Sequence, residues 1–264
     1  MSRRPKTANK ELKLLAHKVR EVAIDLKDVK TESWEVRLAA IHWLRDNVQT
    51  PLGRRAILKS LKRLSKPLQA QIKDLRSVIV REVCEMVNVF AQTLNDGLAI
   101  ISPYLTRALL EITGGGNKII SQYCATTVFT LVRHTQSPKS TRVFAKLALS
   151  RSTKVRLNVL QCISILVQFW HPRAWLDSAE EVAGIVKIGI EDKFGKTRDT
   201  ARTAYQFMHL HAPEVSENMK RKLGRRALAR LKHGTVVGHG NNPHRRSLAG
   251  AGHILFRNAT GNEE

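Results

Sequence analysis

Apolar stripes with helical period recur along this chain at a near-constant spacing, and that recurrence restricts its fold more than any other feature. One stripe is Val80, Val83, Cys84, Val87, Ala91 and Leu94. A second is Ile120, Tyr123, Cys124, Thr127, Val128 and Leu131, and a third is Val155, Val159, Cys162, Ile163, Leu166 and Trp170. Steps of three and four residues place each set on one face of a helix. Cys84 and Cys124 are 40 residues apart, and Cys124 and Cys162 are 38 apart. The alternation expected of strands is nearly absent. A unit of about 36–45 residues holding two helices is the signature of HEAT and armadillo solenoids. The chain therefore reads as all-α, an α-solenoid of five to six HEAT-like helix pairs.

Breaks between helices fall at Thr50-Pro51, Lys66-Pro67, Asn95-Asp96-Gly97, Gly114-Gly115-Gly116, Ser137-Pro138, His171-Pro172 and Ala212-Pro213. They predict first helices near 9–28, 51–64, 98–112, 138–149 and 178–190. Second helices are predicted near 34–48, 77–94, 118–134, 153–170 and 196–210, with a partial sixth unit over 214–232. The expected organisation is a repeat domain over 10–232, a basic disordered tail at 1–9, and a second at 233–264, rich in Gly, His, Asn and Arg.

Charge narrows the partners. The chain carries 45 Lys+Arg against 22 Asp+Glu, a net +23. Residues 1–20 hold +6 of this, residues 220–264 hold +8, and the remaining +9 lies between. Such a surplus attracts polyanions and acidic surfaces. No apolar run approaches the roughly 20 residues needed to span a bilayer, so no membrane partner is expected. Three cysteines and an N-terminus without an apolar stretch predict a reducing, cytosolic or nuclear setting. In that setting the sequon at Asn258-Ala259-Thr260 has no meaning.

In a stack of helix pairs, the turns joining first to second helices line one edge. Arg76, Lys118, Arg151, Lys154, Arg156, Lys196 and Arg198 fall in or near the first turns of second helices. The helix dipole disfavours cations there and favours Asp or Glu. The same rule broken in unit after unit points to function. Trp34 opens the first second-helix, where an aromatic either caps the core or anchors a partner.

These segments resemble the TOG domains of CLASP proteins. Lys73-Asp74-Leu75-Arg76-Ser77 followed by Val80-Arg81-Glu82 is similar to that family's second repeat. Ser33-Trp34-Glu35, Arg37 and Ala40 resemble the first repeat; Lys118-Ile119 and Arg133-His134-Thr135 resemble the third. Ser152, Val155-Arg156 and Gln168-Phe169-Trp170 resemble the fourth, and Gly189-Ile190, Asp192, Arg198 and Ala201-Arg202 the fifth. The similarity covers about residues 10–232. It implies a paddle of six HEAT repeats whose edge turns contact a tubulin dimer or the microtubule lattice. The positions that match are Trp34, Arg76, Ser77, Lys118, Arg151, Lys154, Lys196 and Arg202. It further implies a monomer acting on microtubules in the cytoplasm, at arrays such as the spindle, basal body or cilium. Departures are the single domain, the absence of a Ser-x-Ile-Pro motif and the flexible Gly114-Gly115-Gly116-Asn117 turn.

Other chemistry fits poorly. Gly114-Gly115-Gly116-Asn117-Lys118 lacks the Gly-Lys-Ser/Thr ending of a phosphate loop and follows a helix. His209, His211, His233, His239 and His244 lack zinc-site spacing. The cysteines read as small core residues. Glu180-Glu181 is an exposed face, and no nucleophile–base pair presents itself. No cofactor, metal or enzymatic activity is expected. Nucleic-acid binding is the main rival, since net +23 meets its electrostatic requirement, but 5% aromatics is poor for base stacking. An adaptor for another acidic protein is a third reading.

Overall fold

The computed structural model describes residues 5–27 and 33–232. The expected tail at 233–264, with its sequon and histidines, lies outside the described residues, as do residues 1–4 and most of the polar turn before Trp34; residues 5–9, expected in the N-terminal tail, instead open the first helix. Twelve α-helices among the described residues form six pairs. They are α1 (Pro5–Asp25) with α2 (Trp34–Asn47), α3 (Pro51–Ile72) with α4 (Ser77–Leu94), and α5 (Ser102–Thr113) with α6 (Lys118–His134). The rest are α7 (Ser140–Leu147) with α8 (Thr153–Phe169), α9 (Ala179–Glu191) with α10 (Gly195–His211), and α11 (Pro213–Arg221) with α12 (Arg225–Lys232). First helices pack on first helices, in the order α1, α3, α5, α7, α9, α11. Second helices do the same from α2 through α10, and α12 turns in against α9. Two helical layers result, the architecture the spacing implies.

The predicted stripes form the core between the layers. Val80, Val83, Cys84, Val87, Ala91 and Leu94 are all buried, as are the six stripe residues from Val155 to Trp170. Tyr123 is a correction: it is exposed, because the buried face of α6 runs through Ser121, Cys124, Thr127, Val128 and Leu131, one residue out of phase with it. Lys66-Pro67 is another. The expected break does not occur, and α3 continues to Ile72 with Pro67 inside it. Pro67 forfeits one backbone bond, but Leu64, Leu68, Gln71 and Ile72 are buried around it and tertiary packing carries the helix through.

Polar links join successive repeats at both edges. Arg37 of α2 is wholly buried, and its Nη1 donates to Gln71 Oε1 (2.7 Å) and Asp74 Oδ2 (2.5 Å). Gln71 in turn donates to the Leu26 carbonyl (2.7 Å), and Asp74 accepts the Arg76 N–H (2.7 Å). Three repeats later, Arg156 Nε and Nη2 donate to Asp192 (2.6 and 3.2 Å), whose Oδ1 also accepts the Phe194 N–H (2.9 Å). In both cases an arginine four residues past a second-helix cap grips the aspartate of the next turn. Along the opposite edge, Gln136 N–H donates to Asp96 (2.7 Å), the Ser137 hydroxyl to the Ala99 carbonyl (3.1 Å), and the Trp170 indole N–H to the Val132 carbonyl (2.6 Å).

Removing one partner of a buried pair strands the other charge, at a cost of about 3 kcal/mol. Asp74→Ala should therefore lower the unfolding free energy by about that amount in urea titrations, and a loss below about 1 kcal/mol would show that the link does not hold the turn. Acid sensitivity follows from the same contacts. Burial pushes the Glu82 carboxyl up, but bonds from His42 and Arg81 outweigh it and hold the group below its ordinary value. Glu111, bonded by Arg107 and Lys73, and Asp192, bonded by Arg156, are likewise lowered against their burial. Depressed carboxylates stabilise the fold above the unfolded-chain values, and that stability drains away as pH falls through the folded ones. Unfolding midpoints should hold steady down to about pH 5 and fall below about pH 4.

Candidate functional site

Turns of three to five residues join the two helices of the second through sixth repeats, and each ends where a second helix begins. The caps there are incomplete. Ser33 accepts the Val36 N–H (3.4 Å), and Asn117 accepts those of Ile119 and Ile120 (3.1 Å each). Arg76, Ser152 and Phe194 cap α4, α8 and α10 without a side-chain bond. Glu35 supplies an acid to the first turn of α2, whereas α4, α6, α8 and α10 have none. Unsatisfied N–H groups and the positive end of the dipole thus face outward at several points of one edge.

Most of the expected site residues sit on this edge. Trp34, Arg76, Ser77, Lys118, Arg151, Lys154 and Lys196 are all exposed. Lys118, Arg151, Lys154 and Lys196 form no ion pair among the described residues, and Arg76 lies close enough to Glu35 to help lower its pKa, after the larger effect of the Ser33 hydroxyl. Arg202 is placed differently: it is partly buried about two turns into α10, where it bonds Asp199 and donates to the Arg230 carbonyl (3.2 Å), pinning α12. Two cations grouped with the edge by sequence are structural. Arg156 donates to the Ser150 and Arg151 carbonyls (2.8 and 3.1 Å) as well as to Asp192, and Arg198 to the Asp192 and Lys193 carbonyls (3.0 and 2.8 Å). Both tie down the turn that precedes their own helix.

Sequence reasoning missed the apolar half of the edge. Trp34 is 38% exposed, and it is matched by Leu75 at 97%, Ile119 at 67%, Leu149 at 72% and Phe194 at 42%. The second to fifth turns therefore each present an exposed apolar side chain beside a cation, whereas Trp34 at the first stands beside Glu35. These residues fall outside the helical stripes, and an apolar residue in a polar turn was the available signal. Behind the third and fourth turns lies a shallow groove of about 260 Å³ between α6 and α8, lined by Lys118, Gln122, Lys154, Leu157 and Asn158. Apolar anchors ringed by cations and amides suit a protein surface that is acidic and partly apolar. Burial holds Cys162 protonated, and the Cys84 contact with burial does the same to Cys124. No group of three or more His, Cys, Asp and Glu side chains among the described residues could hold a metal.

Comparison with known proteins agrees with the resemblance. The family model "CLASP N terminal" matches residues 15–232. CLIP-associating protein 1-B of Xenopus laevis is 24% identical over 217 residues, covering 80% of this chain and 14% of that protein. The CLIP-associating protein of Drosophila melanogaster is 24% identical over 204 residues, covering 76% and 14%. The chain thus spans about one seventh of the length of these relatives. Among solved structures, the TOG domain of C. elegans Zyg9 superposes with a TM-score of 0.59 at 15% identity, covering 78% of this chain and 77% of that one. A structure from work on TOG–tubulin binding specificity gives 0.57 at 15% identity, covering 78% of each chain. These likenesses show the fold.

The division between structural and free cations is testable. Arg156→Ala should lower the unfolding free energy by about 2 kcal/mol, since it removes charged bonds to a buried carboxylate. Lys154→Ala, two residues away, should change it by less than about 0.5 kcal/mol in the same urea titration.

Proposed function

The chain belongs to the CLASP N-terminal family, and from that premise we propose that it binds tubulin, as free dimer or in the microtubule lattice, through the turn edge. The observation that carries the reading is the repeated pairing of an exposed apolar residue with an unpaired cation in successive turns: Leu75 with Arg76, Ile119 with Lys118, Leu149 with Arg151. Trp34 is the outermost aromatic anchor, and Lys154 and Lys196 extend the basic row to the fifth turn. Tubulin is an acidic protein, so the cations favour encounter while the apolar anchors slow dissociation. Arg202 contributes by holding α12 against the fifth repeat rather than by direct contact. Basic residues at 1–20 and 220–264, carrying +6 and +8, add long-range attraction to the lattice. In this reading the protein is a monomeric, non-enzymatic regulator of microtubule dynamics that acts on cytoplasmic arrays such as the spindle or cilium.

Gel filtration with soluble tubulin and microtubule co-sedimentation test the edge. Trp34→Ala and the double variant Arg76→Glu/Lys196→Glu should each weaken binding roughly tenfold or more, by loss of an anchor or reversal of steering charge. Thermal melts should stay at the wild-type position because none of these side chains is buried. Full binding by the folded double variant would place the contact elsewhere. Raising salt should weaken the wild-type interaction steeply and the double variant less.

A further inference from the structure

Helix α3 carries a second charged surface, away from the edge. Residues 51–73 contain seven Lys or Arg and no Asp or Glu. Five of them, Arg55, Lys59, Lys62, Arg63 and Lys66, are exposed and fall at steps of four, three, one and three residues. That spacing confines them to an arc of about 100° on one side of the helix. The opposite side, with Ile57, Leu61, Leu64, Leu68 and Ile72, is buried. None of the five forms an ion pair among the described residues. Three carboxylates of the adjoining elements are engaged elsewhere: Glu21 with Lys18, Glu111 with Lys73 and Arg107, and Asp96 with the Gln136 N–H. Like charges at this density repel one another, and no packing role requires them, because every one points away from the core.

We propose that this stripe is a docking surface for an acidic, extended polypeptide segment, independent of the turn edge. From Arg55 to Lys66 the stripe runs about 16 Å at 1.5 Å per residue. An extended chain covers that length in about five residues and presents a side chain to the same face every 6.6 Å or so, close to the 5.4 Å helical turn. Alternate carboxylates thus meet successive turns of α3. Three of the five cations are lysines, whose flexible ammonium groups suit carboxylates without fixed geometry. Nucleic acid is disfavoured by the shape. Helix α3 has no aromatic residue on which to stack a base, and a single narrow stripe reaches one phosphate strand of a duplex over only a few phosphates.

A labelled decaglutamate peptide tests this on the full chain, in about 0.1 M salt, where charges further apart than about 10 Å are screened. Fluorescence anisotropy should show salt-sensitive binding that falls roughly tenfold in Lys59→Glu/Lys62→Glu/Arg63→Glu. Arg76→Glu/Lys196→Glu should keep wild-type peptide affinity, so failure of the stripe and failure of the tubulin-binding edge are separate results. Zero-length carboxyl–amine cross-linking of the wild-type protein should place the peptide on Lys59, Lys62 and Lys66, a readout that stands even if the triple variant misfolds. Cross-links confined to Lys6, Lys10 or Lys220, Lys222 and Lys232 would overturn the proposal in favour of the terminal regions. So would a short DNA duplex, or vesicles of anionic lipid, whose binding depended on the stripe while the peptide's did not.

Discussion

No helix pair here closes a core on its own, and everything else in the structure follows from that. From α2 to α8, each second helix buries its apolar stripe partly against its own first helix and partly against the next second helix. Cys84 and Cys124, on adjacent repeats, bring their sulfurs to 4.0 Å of one another inside this shared layer. Gly189 shows how close the approach becomes, since a methyl at that position would lie 2.6 Å from Leu160 and 2.7 Å from Ala201. Stacking fixes where each helix begins, and therefore where each turn emerges. The arginine–aspartate links then fix the turns to the stack. Arg37 leaves its Nε and Nη2 without partners in the interior, so this link costs desolvation that an apolar contact would avoid. What it supplies is register: it ties the first repeat's second helix to the one turn, at Asp74, that must project Leu75 and Arg76.

That arrangement separates cations that hold the fold from cations left exposed, residue by residue. In the fourth repeat, Arg156 grips Asp192 and two carbonyls while Lys154, half a turn earlier, has no partner at all among the described ion pairs. The fifth repeat repeats the pattern with Arg198 on carbonyls and Lys196 exposed. Free cations and exposed apolar tips contribute nothing to the core, so they are free to vary with the partner, while the grip residues answer to the fold.

The fold was legible in the sequence because burial has a period. Three stripes and the spacing between them yield the two-layer stack, and the second-helix starts at 34, 77, 118 and 153 coincide with those expected. Where the reading failed, a tertiary contact overrode a local rule. Pro67 is a break by backbone chemistry and a helical residue by packing. Arg156 and Arg198 obey the same sequence pattern as Lys154 and Lys196, and only the position of Asp192 and the turn carbonyls distinguishes them. The site was half legible. Cations at helix starts stand out against the dipole rule, whereas Leu75, Ile119, Leu149 and Phe194 are conspicuous only once the turns are seen to leave them uncovered.

The surplus of +23 is set by composition, and the same links decide which cations are left exposed. Several acids join elements: Asp74 and Asp192 inside the turn links, Glu82 under His42 and Arg45, Glu111 between Lys73 and Arg107, and Glu181 on the Thr141 hydroxyl of the preceding repeat. Each draws its partner into a contact and leaves other cations uncompensated. The edge and the outer side of α3 are two places among the described residues where exposed cations recur in order. They lie on different sides of the repeat, because α3 runs across it from Pro51 at the rear edge to Ile72 just before the second turn, and its basic stripe ends before that turn begins. Pairing leaves the net charge unchanged, but it decides which cations stay unpaired, and the helix period decides on which faces they collect.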